Sequence, residues 1–138
     1  MKKLRIFIAF ADEKLRIAML LLLDHEPGMV VVGIPDRLPG LVTQLDVSQP
    51  DVLLLEWSVP FNSMKEMIGD ISHLSPSPKI ILLSNIPEER EAALAAGADH
   101  FIVKNAPPDE LLLILNRIRL TQTEKILPTL DSMKGMSE

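Results

Sequence analysis

The chain has 138 residues and no cysteine, with 14 Lys and Arg against 19 Asp and Glu, a formal charge of −5. That length suits one domain with a sizeable core. The missing thiols exclude disulfides, thiolate metal sites and a Cys nucleophile. An acidic balance with no run of Lys or Arg argues against direct contact with DNA or RNA.

The first segment, "MKKLRIFIAFADEKL", sets two lysines before an apolar run. Arg5 interrupts that run and Asp12, Glu13 and Lys14 close it, so it reads as a strand and not as a secretion signal. The uncharged stretch Ile17 to Leu23 is too short to cross a bilayer, and the expectation is a cytoplasmic protein without membrane contact. Four more short apolar runs follow: "MVVVGI", "DVLLLE", "KIILLS" and "HFIVK". Runs apolar on successive residues suit strands covered on both faces. Helical spacing fills the intervals. Leu15, Met19 and Leu22 stand at i, i+4, i+7, "PEEREAALAAGAD" carries an acidic first turn and a stop at Gly97, and Leu111, Ile114, Leu115 and Ile118 form a last stripe. Prolines punctuate the joints. Residues 1–121 thus read as one domain, and 122–138 as a polar tail, either a short appended helix or the start of a linker to an output domain.

Strand then helix, repeated five times with short connections, predicts an α/β fold with helices on both faces of a parallel sheet. In such open sheets the site lies beyond the carboxyl ends of the strands, where the strand order reverses. The residues there are Phe10–Asp12, Glu56–Ser58, Ser84–Asn85 and Lys104–Asn105. Glu56, Ser84 and Lys104 each close an apolar run. A carboxylate, a hydroxyl and an ammonium brought together would suit the handling of a phosphoryl group.

Three segments carry a resemblance to a known family. "DVLLLEWSVP" is similar to a strand ending in a phosphoacceptor aspartate followed by x-x-x-Pro. "KIILLSN" is similar to a strand ending in Thr or Ser, and "GADHFIVKNAPPDEL" to a Gly-Ala, aromatic, Lys and helix start. From Leu4 to about Leu120 the chain resembles the response-regulator receiver domain of two-component signalling. The resemblance implies a flavodoxin-like (βα)5 doubly wound parallel sheet with strand order 2-1-3-4-5. It also implies Mg²⁺-dependent phosphoryl transfer from a histidine kinase to an aspartate, and a switch in dimerisation or output contacts. Position by position, Glu56 falls at the phosphoacceptor, Ser84 and Lys104 on the phosphoryl pocket, and Phe101 on the aromatic switch. Ser58 falls where a backbone carbonyl binds the metal.

Two departures qualify that reading. The acidic pair that holds Mg²⁺ falls on Phe10 and Ala11, which offer a hard cation no side-chain oxygen, while Asp12 is displaced by a residue or two and suits a helix cap. The acceptor position carries Glu56, whose extra methylene shifts the carboxylate by about 1.5 Å in a reaction where about 1 Å matters. The expectation is therefore a non-enzymatic, atypical receiver without a cofactor, working through protein contacts with a histidine kinase, another signalling protein or an output domain. Its glutamate either imitates the phosphorylated state, accepting from Ser84 and pairing with Lys104, or is a relic that neutralises Lys104. One alternative is a phosphorylatable receiver whose Mg²⁺ sits on a rearranged site of Asp12 and Glu13. Another is a small-ligand carrier, disfavoured because "AFADEKL" has no Gly, Ser or Thr to cradle phosphate.

Beyond the site, His25, His73 and His100 lack ligand spacing, and Trp57 and Phe101 also read as plain packing. The first helix, at Ile17 to Leu23, and the last, at Leu111 to Leu115, are more apolar than a sheet-covering stripe requires. That excess predicts a homodimer through these helices, or a seat for the tail residues Ile126, Leu127 and Leu130.

Overall fold

The computed structural model describes residues 2–136, with the side chains of residues 2–122. The expected seat for Ile126, Leu127 and Leu130 lies outside the described side chains. The chain divides into two units, Met1–Asn105 and Ala106–Glu138.

The first unit holds strands β1 (Leu4–Ala9), β2 (Met29–Gly33), β3 (Val52–Glu56), β4 (Lys79–Ser84) and β5 (His100–Val103). They form one parallel sheet in the order β2-β1-β3-β4-β5. The expected order is therefore the observed one, and each apolar run lies within a residue or two of its strand. Every residue of β3 is buried, as a strand with neighbours on both edges and helices on both faces requires. Helices α1 (Glu13–Asp24), α2 (Leu41–Ser48), α3 (Phe61–Ser72) and α4 (Arg90–Ala96) connect the strands. One face of the sheet, through Phe7, Leu53, Leu55, Leu82 and Phe101, packs with Leu41 and Leu45 of α2, Met64 and Ile68 of α3 and Ala93 of α4.

Local chemistry explains the joints. Asp12 caps α1, its carboxylate accepting from the Lys14 and Leu15 amides at 2.9 and 3.2 Å, the role its position predicts. Gly97 ends α4 at φ +118°, where a side chain would be strained. The segment expected as a single helix from Pro87 instead begins as a 3₁₀ turn, Pro87–Glu89, before α4. Such tight turns are frequent at helix ends. At the edge of the sheet Phe7 pairs with Gly33 after a break in register. A Cβ on Gly33 would lie 2.2 Å from Phe7 Cε2, so the aromatic ring requires glycine there.

The second unit carries α5 (Pro108–Met136). Its Leu111 and Leu115 are buried, and its Leu113 and Leu120 are exposed. No helix among the described residues is long and apolar enough to cross a membrane.

Candidate functional site

Strand register assembles the site. Ala9 pairs with Leu55, Glu56 with Leu83, and Ser84 with Val103. Phe10, Glu56, Ser84 and Lys104 therefore emerge at one end of the sheet, on either side of the point where β1 lies between β2 and β3. Side chains alternate along a strand, so Glu56 lies on the face opposite Leu53 and Leu55.

Glu56 is only 3% exposed, yet its carboxylate is fully engaged. Oε1 accepts from the backbone amides of Ala11 at 2.6 Å and Asp12 at 3.0 Å. Oε2 accepts from the Lys104 ammonium, whose side chain is 16% exposed. A buried carboxylate persists when its charge is paired and its oxygens are hydrogen-bonded. The longer glutamate side chain spans the gap to the loop after β1. Arg16 steadies that loop by donating from its guanidinium to the Phe10 carbonyl at 3.0 Å. Phe10 itself is buried.

Ser84 departs from expectation. Its hydroxyl donates to Glu89 Oε1 and accepts from the Ile86 amide at 3.0 Å. A serine hydroxyl has a single proton, and here that proton goes to Glu89, not to Glu56. The expected Glu56–Ser84 contact is thus replaced by one local to the β4–α4 turn, where five residues bring Glu89 back over the strand end. Phe101 is buried in the strand, with the Arg90 guanidinium 5.3 Å from its ring centroid, within cation–π range. Trp57 stacks on Phe61 with centroids 5.8 Å apart. Ser58 is exposed on the turn after β3.

Sequence reasoning missed Glu89 and Arg16. Glu89 had one usable signal, an acid close after a buried hydroxyl. Arg16 had none, because its acceptor is a carbonyl.

Several comparisons bear on this arrangement. The sequence pattern of the family described as "Response regulator receiver domain" matches residues 6–116. The chain belongs to the response regulator receiver family. This receiver is 27% identical over 143 residues to the uncharacterized transcriptional regulatory protein YxjL of Bacillus subtilis (strain 168), covering 100% of the chain and 64% of the relative. It is 26% identical over 121 residues to the nitrate/nitrite response regulator protein NarL of Escherichia coli (strain K12), covering 84% of the chain and 56% of the relative. It therefore spans less than two thirds of the length of these relatives. Among solved structures it resembles one of CheY6 from R. sphaeroides in complex with the P1 domain of CheA3. That match has a TM-score of 0.74 and 18% identity, and covers 87% of this chain and 99% of the other. At such identity the likeness speaks for the fold.

The family implies a divalent cation beside the acceptor, and the donor set here does not fit one. Phe10 and Ala11 contribute no side-chain oxygen, and Asp12 Oδ1 is occupied by two amides as the α1 cap. Both Glu56 oxygens face hydrogen-bond donors, one of them a cation. Among the described residues no three His, Cys, Asp or Glu side chains stand close enough to share a metal. Mg²⁺ demands near-octahedral oxygen ligands.

Proposed function

We propose that this receiver signals without phosphoryl transfer, as a non-enzymatic module acting through protein contacts. The observation that carries the reading is the Glu56 carboxylate, with both oxygens already engaged by the Ala11 and Asp12 amides and by Lys104. Of those donors, Lys104 is one that the resemblance assigns to the phosphoryl pocket, and here it is already spent on Glu56. A nucleophile so neutralised is also poorly placed for in-line attack, and developing charge would find no metal to stabilise it. Glu56 acts as a built-in anion that joins the β1–α1 loop, β3 and Lys104 permanently. Phe101, beneath Arg90, serves as a packed strand residue at the family's aromatic position.

The partners that suit such a module are a histidine kinase or another signalling protein, an output domain beyond residues 122–138, and a second copy of the chain. The setting is cytoplasmic. In support, one relative it resembles is a transcriptional regulatory protein by name and another a response regulator protein, and one solved neighbour is seen in complex with the P1 domain of CheA3.

The test is intact-mass spectrometry after incubation with acetyl phosphate and Mg²⁺. The mass is expected to stay unchanged, with no Mg²⁺ response in Trp57 fluorescence. A phosphoryl adduct on Glu56 or Asp12 would overturn the reading in favour of a rearranged metal site using Asp12 and Glu13.

A further inference from the structure

The two edges of the sheet are finished differently. At β5 the central residues Phe101 and Ile102 are buried, whereas at β2 every residue after Met29 is only half-buried. The alternation of the β2 backbone is fixed by the Leu4 amide, which donates to the Gly28 carbonyl at 2.8 Å, with Leu4 opposite Met29 and Ile6 opposite Val31. Successive residues of a strand turn their N–H and C=O to opposite edges. Gly28, Val30 and Val32 therefore face β1, and Met29 and Val31 present theirs outward. Among the described residues, no backbone hydrogen bond from another segment reaches those outward groups.

An open groove of about 780 Å³ runs beside them. Residues 24–34 all line it, without the gap at every second residue that contact with one face of a strand would leave, so the groove follows the edge of β2. Leu20 of α1 adds an apolar wall, and at the amino end of β2 the carboxylates of Asp24 and Glu26 stand against the single ammonium of Lys3. Sheet edges are ordinarily blunted by charge, proline or a bulge. β2 carries neither charge nor proline, and its break in register with β1 comes only after Val31.

The geometry points to β2 as a docking edge that takes a short extended segment of a partner protein as a sixth strand. A row of outward donors and acceptors at strand spacing is matched by another extended backbone. Antiparallel pairing is the more stable arrangement, and it sets the carboxyl end of the partner segment beside Asp24 and Glu26. The segment that fits has alternating β-branched residues, which suit the valine-lined edge, and a Lys or Arg at its carboxyl end. This edge lies apart from Glu56, and the inference shares with the functional reading only that the chain works through protein contacts.

The test titrates the full chain, labelled for NMR, with the peptide Thr-Val-Thr-Val-Lys, acetylated and amidated so that it carries no terminal charge. Hydrogen exchange at the Met29 and Val31 amides should slow about tenfold near saturation, while the Val30 and Val32 amides, already paired with β1, should change little. The same peptide N-methylated on alternate residues loses its donors and should bind about tenfold more weakly or worse. Moving its lysine to the amino end should weaken binding about two- to fivefold, and Asp24→Lys with Glu26→Lys should abolish that preference. Val31→Pro removes the outward N–H, which β1 does not use, and should weaken binding about tenfold; the N-methylated peptide decides the matter even where that variant folds poorly. No binding at millimolar peptide, or equal binding by the N-methylated form, overturns the inference, and indifference to the position of the lysine overturns the orientation. Protection of Val31 that rises with chain concentration alone assigns the edge to a second copy, and protection already present in the dilute chain assigns it to a segment of the chain itself; either result overturns the partner segment. A phosphoryl adduct in the mass experiment would sink the functional reading without moving peptide binding, so the two failures are distinguishable.

Discussion

The two ends of the sheet use one device in opposite surroundings. At the carboxyl ends, Glu56 takes up two loop amides and the Lys104 ammonium, and the paired side chains are 3% and 16% exposed. At the amino ends, Asp51 accepts from the Arg5 amide at 2.8 Å and Asp99 from the Ile80 amide at 2.8 Å. There Lys79 stands 3.9 Å from Asp99 with side chains 59% and 37% exposed. Both ends tie neighbouring elements through a carboxylate on main-chain N–H groups. The difference is water: solvent screens the Lys79–Asp99 pair, whereas Glu56 has exchanged its hydration for fixed partners. Charge in the wet region is replaceable, and charge in the dry region is structural.

Substitutions can break that contrast, starting with the largest expected effect. Lys104→Met leaves Glu56 buried without its cation and should cost about 3–5 kcal/mol in denaturant unfolding. A cost below about 1 kcal/mol would mean the carboxylate is hydrated after all. Glu56→Gln keeps one acceptor for the Ala11 and Asp12 amides but turns an N–H₂ toward the ammonium, for about 2 kcal/mol. Measured in the Lys104→Met background, the same change should cost much less, and equal costs in the two backgrounds would deny the coupling.

At the amino end the expected effects shrink. Asp99→Ala removes the acceptor of the Ile80 amide and should cost about 1 kcal/mol, with faster hydrogen exchange at that amide as the local sign. Lys79→Met should shift stability by about 0.5 kcal/mol or less, and high salt should change it little. A Lys79→Met effect as large as that of Lys104→Met would erase the distinction between the two ends.

Much of the fold was legible because its strands are covered on both faces. "DVLLLE" and "KIILLS" are apolar on successive residues, a pattern that half-exposed strands do not show. The helix α2 was less legible. It buries only Leu41 and Leu45, and it starts at Gly40 with no side-chain cap, so its stripe is short and its start unmarked. At the site, the Glu56–Lys104 pair was readable because both residues end apolar runs, and strand periodicity places such ends together. The Ser84–Glu89 bond was not readable. It depends on how tightly the chain turns between Ile86 and Arg90, which neighbouring contacts settle and composition does not.

By itself the sequence determined the strand–helix alternation, the end of the sheet where polar groups gather, and the absence of side-chain oxygens at Phe10 and Ala11. Hydrophobic period and residue chemistry are local properties, available before folding. Tertiary structure decided where each hydrogen-bond donor is spent: the Ala11 and Asp12 amides and the Lys104 ammonium on Glu56, and the Ser84 hydroxyl on Glu89. These choices join residues up to 48 positions apart, and they follow from strand register and burial, which make every unpaired polar group costly.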